Sequence, residues 1–425
     1  MNHVLAGFGF GPIQAGLFAK EARESGRFSE IVVAEVDPAL VAAVRANGDR
    51  YDVNVAYADR VEVVRVEGVT LLNVNVADDL WRLRDVLGRA TEVVTSLPSV
   101  AFYARGGDTG VARLVAEGLR VCGAGQTVVY TAENNNHAAE ILERDVKAVS
   151  GEGTGHRPVQ YLNTVIGKMS QVIVDPVEIA RRGLAPIAPG FPRAFLVESF
   201  NHILVSIIRL PGFTAGISVF EEKDDLLPFE EAKLYGHNAA HTMLGFLGAR
   251  CGAERLSDLR ARSGVMELLR QAFVQEAGAA LCARHGGLGD PLFTPEGFRC
   301  YADDLLERMT NPHLADTVTR AIRDPLRKLG ASDRLFGAMR LCLSCGVEPA
   351  SLATGALAGL SALAAQADRP QVPAFDALLR DEALDAGTFG QLLTALWGDG
   401  VSQRETEKIG ELLAAAQSRL RGLTR

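Results

Sequence analysis

The sequence predicts an α/β N-terminal domain built on a parallel sheet, followed by a mainly α-helical C-terminal domain, the two dividing as 1–200 and 201–425. Three observations carry this reading. Short Val/Ile-rich runs alternate with helix-like stretches through roughly the first 150 residues, the pattern of β-α units. After about residue 225 long Ala-, Leu-, Arg- and Glu-rich stretches take over, with helical apolar spacing and with Gly and Pro mostly between them. A cluster of glycines, Gly7, Gly9, Gly11 and Gly16, sits between the first apolar run and the first helix-like one.

Taken in order, HVLAGF (3–8) and IVVAEV (31–36) read as the first two strands. VTLLNVN (69–75), EVVTSLP (92–98) and QTVVYTAEN (126–134) are further strand candidates. GEGTGHRP (151–158) reads as a loop and LAPIAPGFP (184–192) as an extended crossing between domains. Helices are expected within 229–251, 263–285 and 295–311.

Composition bounds the function. At 425 residues the chain is too long for one typical domain. A net charge of -8 argues against a general polyanion binder, so no nucleic-acid partner is expected. Hydrophobic residues at 48% with 23% charged are enough for a core and wrong for disorder. No apolar run approaches the ~20 residues of a membrane span. The N-terminus shows no basic n-region or cleavage site. Six cysteines in a chain of this length are not a disulfide framework. A soluble, cytoplasmic protein is expected.

The glycines need a reason. A chain that turns tightly after a strand, and lets backbone N–H groups meet a pyrophosphate at a helix start, uses them at this spacing. A close-packed strand–helix turn would use them too. Gly9 and Gly11 form the first pair, Gln14 stands at the third fingerprint position, and Gly16 follows. Context favours the nucleotide. The second strand ends at Glu35, about where the ribose-binding acid of such a Rossmann-like domain falls. Asp37 precedes Pro38 and a helix-like run closed by Gly48, so it is expected as an N-cap with proline at N1. That leaves Glu35 for the ribose hydroxyls, where its charge repels a 2′-phosphate. NAD is therefore the expected cofactor, held by Gly9, Gly11, Gly16 and Glu35.

The stretch 229–251 carries Lys233, His237, Asn238 and His241. At α-helical spacing all four fall within an arc of about 140°. A solvated polar face would look the same, but few charges follow until Arg250. Oxidising a secondary alcohol requires a base for the hydroxyl proton, and a desolvated lysine can serve. Asn and His donors would stabilise the developing alkoxide.

Lys233-x4-Asn238-x2-His241 resembles the catalytic signature of the polyol-specific long-chain dehydrogenases, the mannitol dehydrogenase family, and within it the mannitol-1-phosphate 5-dehydrogenases. The similarity runs nearly full length, through TAEN (131–134), VESF (197–200), FEEAKLYGHNAAH (229–241), NPHL (311–314) and RDPLRKLGASDRL (323–335). The resemblance implies metal-independent NAD chemistry on a polyol, sugar phosphate or ketose. It makes Lys233 the general base, with Asn238, His241 and Asn134 polarising the substrate oxygen. His237 is outside the pattern. Two departures stand out: Gln14 replaces a glycine, which is expected to touch only local turn geometry, and Gly167-Lys168 stands where relatives carry Asp-Arg. The second change removes a carboxylate expected near substrate and opens the alternatives of a free polyol, a hexuronate or a cyclitol. A non-catalytic NAD sensor and an NAD-dependent epimerase are the rivals of another kind. A monomer or homodimer is expected.

RDPLRKLGASDR (323–334) gathers Arg323, Arg327, Lys328 and Arg334. A helix end with ion pairs to Asp324 and Asp333 would explain it. An anion-recognition loop would too, with Arg327 and Lys328 as preferred contacts, Arg323 beside them and Lys168 as a further cation. Cys342-Leu-Ser-Cys345 has no second pair at zinc spacing and reads as structural thiols. No Walker loop and no Ser/His/Asp triad is apparent.

Overall fold

The computed structural model describes residues 3–120, 125–150, 157–367 and 369–423, so most of the loop expected at 151–158 lies outside the described residues. The chain forms two compact units, Met1–Leu227 and Pro228–Arg425. The division falls later than residue 200 because two strands beyond it still pair into the first unit's sheet.

In chain order the strands are β1 (His3–Phe8), β2 (Phe28–Glu35), β3 (Arg50–Ala56), β4 (Val61–Glu67), β5 (Thr70–Asn73) and β6 (Glu92–Thr95). Next come β7 (Thr127–Thr131), β8 (Val159–Ile166), β9 (Ser170–Ile173), β10 (Ala194–Glu198), β11 (Ile203–Ser206) and β12 (Phe220–Lys223). One sheet runs β12-β11-β8-β7-β6-β1-β2-β5 and a second runs β4-β3-β10-β9. Within the first, β5-β2-β1-β6-β7-β8 pair in parallel. Numbered among themselves these parallel strands run 3-2-1-4-5-6, the dinucleotide-binding order, with its reversal between β1 and β6. The sheet is not parallel throughout, since β11 pairs antiparallel with β8.

Side chains alternate across this sheet as a strand requires. Leu5, Ile31, Val33, Leu71, Val94 and Val128 enter one apolar core. Val4, Ala6, Val32, Leu72, Val93 and Val129 enter another on the opposite face. Burial on both faces explains why these strands read as continuous apolar runs.

The glycine turn departs from the usual fingerprint in more than local geometry. There the third glycine lets the helix lie close against the strand. Here the helix presents Gln14 and the strand yields the space: a Cβ added at Gly7 would lie 2.4 Å from Gln14 Nε2. Gln14 is buried, and its amide atoms have no hydrogen-bond partner among the described residues. The helix is π-helical over Gln14–Ala19, which widens the turn that carries this side chain.

The second unit is built from helices around Ala350–Ala364, which is buried almost all round. Glu276 receives the backbone N–H groups of Ser351 (2.6 Å) and Leu352 (2.8 Å) at its start, where donors lack helical partners. Gly355 and Gly359 let this helix approach Ala239–Arg250. A Cβ at either would come within 2.5 Å of Met243 Cγ or 2.8 Å of Phe246 Cδ2.

The Gly7–Gln14 exchange makes a prediction. Gly7→Ala should destabilise the chain by about 1–3 kcal/mol through overpacking, and by clearly less in a Gln14→Ala background. Urea unfolding of the four members of the cycle measures both.

Candidate functional site

The first unit holds a cavity of about 730 Å³ at the carboxyl ends of its parallel strands. Its wall includes Gly9, Phe10 and Gly11 after β1, Glu35 and Val36 around the end of β2, and Ser96 and Leu97 after β6. This is the reversal point, where a parallel sheet opens a crevice. Gly9 has φ +82°, and a Cβ there would meet Ser96 O at 2.7 Å, so the turn requires glycine. At Gly11 an added Cβ would meet nothing within 4 Å, which leaves that backbone open to approach.

Glu35 is fixed by backbone donors. Its Oε2 accepts from Phe10 N (2.8 Å), and its Oε1 from Val36 N (2.7 Å) and Asp37 N (2.9 Å). A carboxylate has about four acceptor sites, so one remains for a hydroxyl. Asp37 caps Pro38–Ala46 by accepting from Ala39 N (3.0 Å) and Leu40 N (3.3 Å), with Pro38 opening the helix. Gly16 is a correction to the sequence reading. A Cβ there would meet Val197 Cγ1 at 2.7 Å, so this glycine serves helix–sheet packing and does not line the cavity.

The second unit holds the polar cluster. The helix from Leu227 to Arg250 is not α-helical throughout, because Ala232–Asn238 forms π turns. The angular spacing of an ideal α-helix therefore does not apply. Bonds from i to i+5 stack Lys233 and Asn238, five residues apart, more nearly over one another. Lys233 is partly buried, and its pKa falls to about 8, first through desolvation and then through the Arg334 guanidinium, with Glu230 opposing. His237 is buried. Desolvation, followed by the charges of His241, Arg308 and Lys233, holds it well below the usual imidazole range.

His241 Nε2 lies 2.8 Å from Asp316 Oδ2. Asp316 is buried and also accepts from Arg320 Nε and Nη2, each at 2.7 Å. Burial alone would raise its pKa, but the hydrogen bonds from His241 and Arg320 outweigh it and hold the carboxyl far below its ordinary value. The sequence pattern does not single out Asp316 and Arg320; the signal it offers is an Asp–Arg pair at i,i+4 just after Asn311-Pro312-His313-Leu314.

Other expected site residues are placed differently. Asn134 is exposed just beyond β7, beside buried Glu133, which accepts from Thr95 Oγ1 (2.9 Å) and Leu97 N (2.8 Å). Lys168 is buried, with its ammonium donating to Glu198 O, Phe200 O and Asn201 Oδ1. All three donors are spent on pinning that segment, which removes Lys168 as an anion contact. Lys328 is likewise buried, donates to Ala321 O (2.6 Å) and is lowered to about 8 by desolvation and then by Arg334. Arg327 pairs with Asp324 (2.8 Å) and Asp333 (3.3 Å), and Arg323 is exposed. The two preferred anion contacts are thus engaged internally. Arg334, bonded to Asp333 and Thr242, is instead the member of the segment that acts on Lys233. Cys342 is buried and burial pushes its thiol up, as for a structural thiol. Among the described residues no group of three or more His, Cys, Asp or Glu side chains is placed to hold a metal ion. No helix among them is long and apolar enough to cross a membrane.

The family model of the mannitol dehydrogenase C-terminal domain matches residues 225–380. A mannitol-1-phosphate 5-dehydrogenase of Pseudarthrobacter chlorophenolicus is 29% identical over 350 residues, covering 81% of this chain and 82% of the relative. One of Brevibacillus brevis is 27% identical over 359 residues, covering 83% and 84%. A crystal structure of D-sorbitol dehydrogenase in substrate-free form matches with a TM-score of 0.74 at 15% identity, covering 100% of this chain and 94% of that one. Pseudomonas fluorescens mannitol 2-dehydrogenase, in a ternary complex with NAD and D-mannitol, matches at 0.69 and 15%, covering 100% and 93%. These two structures share the fold. The chain thus carries a mannitol dehydrogenase C-terminal domain over residues 225–380 and is similar to mannitol-1-phosphate 5-dehydrogenases over four fifths of its length.

Proposed function

We propose that the chain is an NAD-dependent dehydrogenase that interconverts a secondary alcohol of a polyol or sugar phosphate with the ketose, using Lys233 as general base. The observation that carries this reading is the lysine whose pKa falls to about 8 on the same helical stretch as Asn238 and His241. The cavity at the strand ends fits a dinucleotide. The backbone after β1 is open at Gly11 for a pyrophosphate, and the one acceptor site left on Glu35 suits a ribose hydroxyl. Bound there, NAD supplies the hydride acceptor or donor.

The residues of the second unit handle the oxygen. In oxidation the alcohol carbon loses hydride while its hydroxyl proton passes to neutral Lys233 Nζ, so the C–O single bond becomes a carbonyl. Asn238, and His241 as Asp316 orients it, donate hydrogen bonds to the oxygen as negative charge develops. A base must be deprotonated to act, so alcohol oxidation rises with pH through an apparent pKa of about 8. Ketose reduction needs the ammonium form and falls over the same range. A panel of phosphorylated and free polyols, followed by NADH absorbance, identifies the substrate class. The relatives named for mannitol-1-phosphate place sugar phosphates first on that panel.

Two substitutions test the roles. Lys233→Ala should lower kcat by about 10²–10⁴-fold and abolish the pH step near 8 while NAD still binds. Near-normal turnover in that variant would refute the base assignment. Asp316→Asn should release His241 and lower kcat. It should also cost about 3 kcal/mol of stability at neutral pH, because it breaks a buried ion pair. The native carboxyl is depressed, so this contribution is complete above the unfolded value of about 4 and is lost as pH falls below it. Urea unfolding at several pH values should show the difference from wild type shrinking toward acid.

A further inference from the structure

The cofactor cavity contains a cation that its glycine turn and acid do not explain. Arg193, in the segment just before β10, lines the cavity together with Glu35 and Val36. Its Nη2 lies 3.0 Å from Asp37 Oδ2, and its guanidinium stands 5.3 Å from the centre of the Phe191 ring. Both members of the ion pair are 30% exposed, so water reaches them. An arginine at this end of the fold is the feature that accommodates a 2′-phosphate and hence NADP. Its presence beside a ribose-binding glutamate calls for an explanation.

We propose that the Asp37–Arg193 ion pair determines which dinucleotide the cavity accepts: Asp37 holds and neutralises a guanidinium that would otherwise attract a 2′-phosphate. This rests on the reading of the cavity as the NAD site. The division of labour within Asp37 supports it. Oδ1 caps the helix at Ala39 N and Leu40 N, which fixes the carboxylate, and Oδ2 faces the arginine. Glu35, meanwhile, already accepts three backbone N–H groups, so much of its charge is answered in place. Among Glu35, Asp37 and Arg193 the balance then depends on the pair, with two carboxylates against one guanidinium, while Arg105 is a further cation on the cavity wall. Neutralising Asp37 leaves one of each. A carboxamide or hydroxyl at position 37 offers the guanidinium only a neutral hydrogen bond, which a phosphate dianion can displace.

Fluorescence titration of the full chain with NADH and with NADPH tests this. Asn and Ser both cap helices well, so Asp37→Asn and Asp37→Ser keep the fold while removing the charge. Each should move the ratio of NADPH to NADH affinity about tenfold toward NADPH, the size expected of one nearby charge in a largely aqueous setting. Adding Arg193→Ala to Asp37→Asn should return the ratio toward that of wild type. An unchanged ratio in both single variants overturns the proposal, as does a gain that survives the loss of Arg193. Failure of the wild-type chain to bind NADH at all would instead overturn the NAD reading, and this inference with it.

Discussion

A lysine serves as a base near neutral pH only where its charged form is disfavoured, and the proposed role of Lys233 depends on that condition in the second unit. Desolvation and the Arg334 guanidinium supply it at Lys233. A long flexible side chain would escape to water if its helix could shift, since lysine stems readily reach for solvent. The helix cannot shift easily. Gly355 and Gly359 bring a largely buried helix against Met243 and Phe246 at distances that leave no slack. A buried carboxylate nearby works against the effect by favouring the ammonium, as Glu230 does in part. The one beside His241, Asp316, is answered by Arg320, so it orients the imidazole with little charge left over.

In the first unit the proposed cofactor site poses a different problem, that of holding an acid in place for a neutral partner. Glu35 is stitched to the turn after β1 and to its own strand end by three backbone donors. A carboxylate fixed in this way loses little conformational freedom when a hydroxyl arrives, which is the benefit of preorganisation. The same turn shows how a fingerprint can change without loss of the fold. Close approach of helix to strand needs a missing side chain on one of the two surfaces. Moving the vacancy from the helix to Gly7 satisfies that need as long as Gln14 can be buried.

What was legible in the sequence was local. β1, β2, β5, β6 and β7 announced themselves as apolar runs, and the cap at Asp37 followed from the residues beside it. The Lys233, Asn238 and His241 group was visible because it lies on one helix. Long-range features were not. The second sheet depends on β10 pairing with β3, far apart in the chain, and Asp316 meets His241 across 75 residues. The π turns escaped because a residue pattern was read with the α-helical period. Lys168 looked available because a sequence names an ammonium without saying which carbonyls already hold it.

The basic segment carries the same lesson into electrostatics. A net charge of -8 describes the surface of this chain, and the segment 323–334 is a local exception to it. Yet its charges are not equivalent donors waiting for an anion. Arg327 is paired with Asp324, whose backbone takes a left-handed φ of 59° directly before Pro325, so the loop accepts strain to set that acid at the start of the Pro325–Lys328 helix. Lys328 is drawn inward to a carbonyl and depressed toward neutrality by its neighbours. Arg334 depresses both lysines while Asp333 sustains its own charge. The segment therefore acts on Lys233 through the field of Arg334 before any substrate arrives. An anionic substrate arriving near that guanidinium would offset part of its field and raise the lysine's basicity. Phosphorylated and free polyols should accordingly differ in pH dependence as well as in affinity.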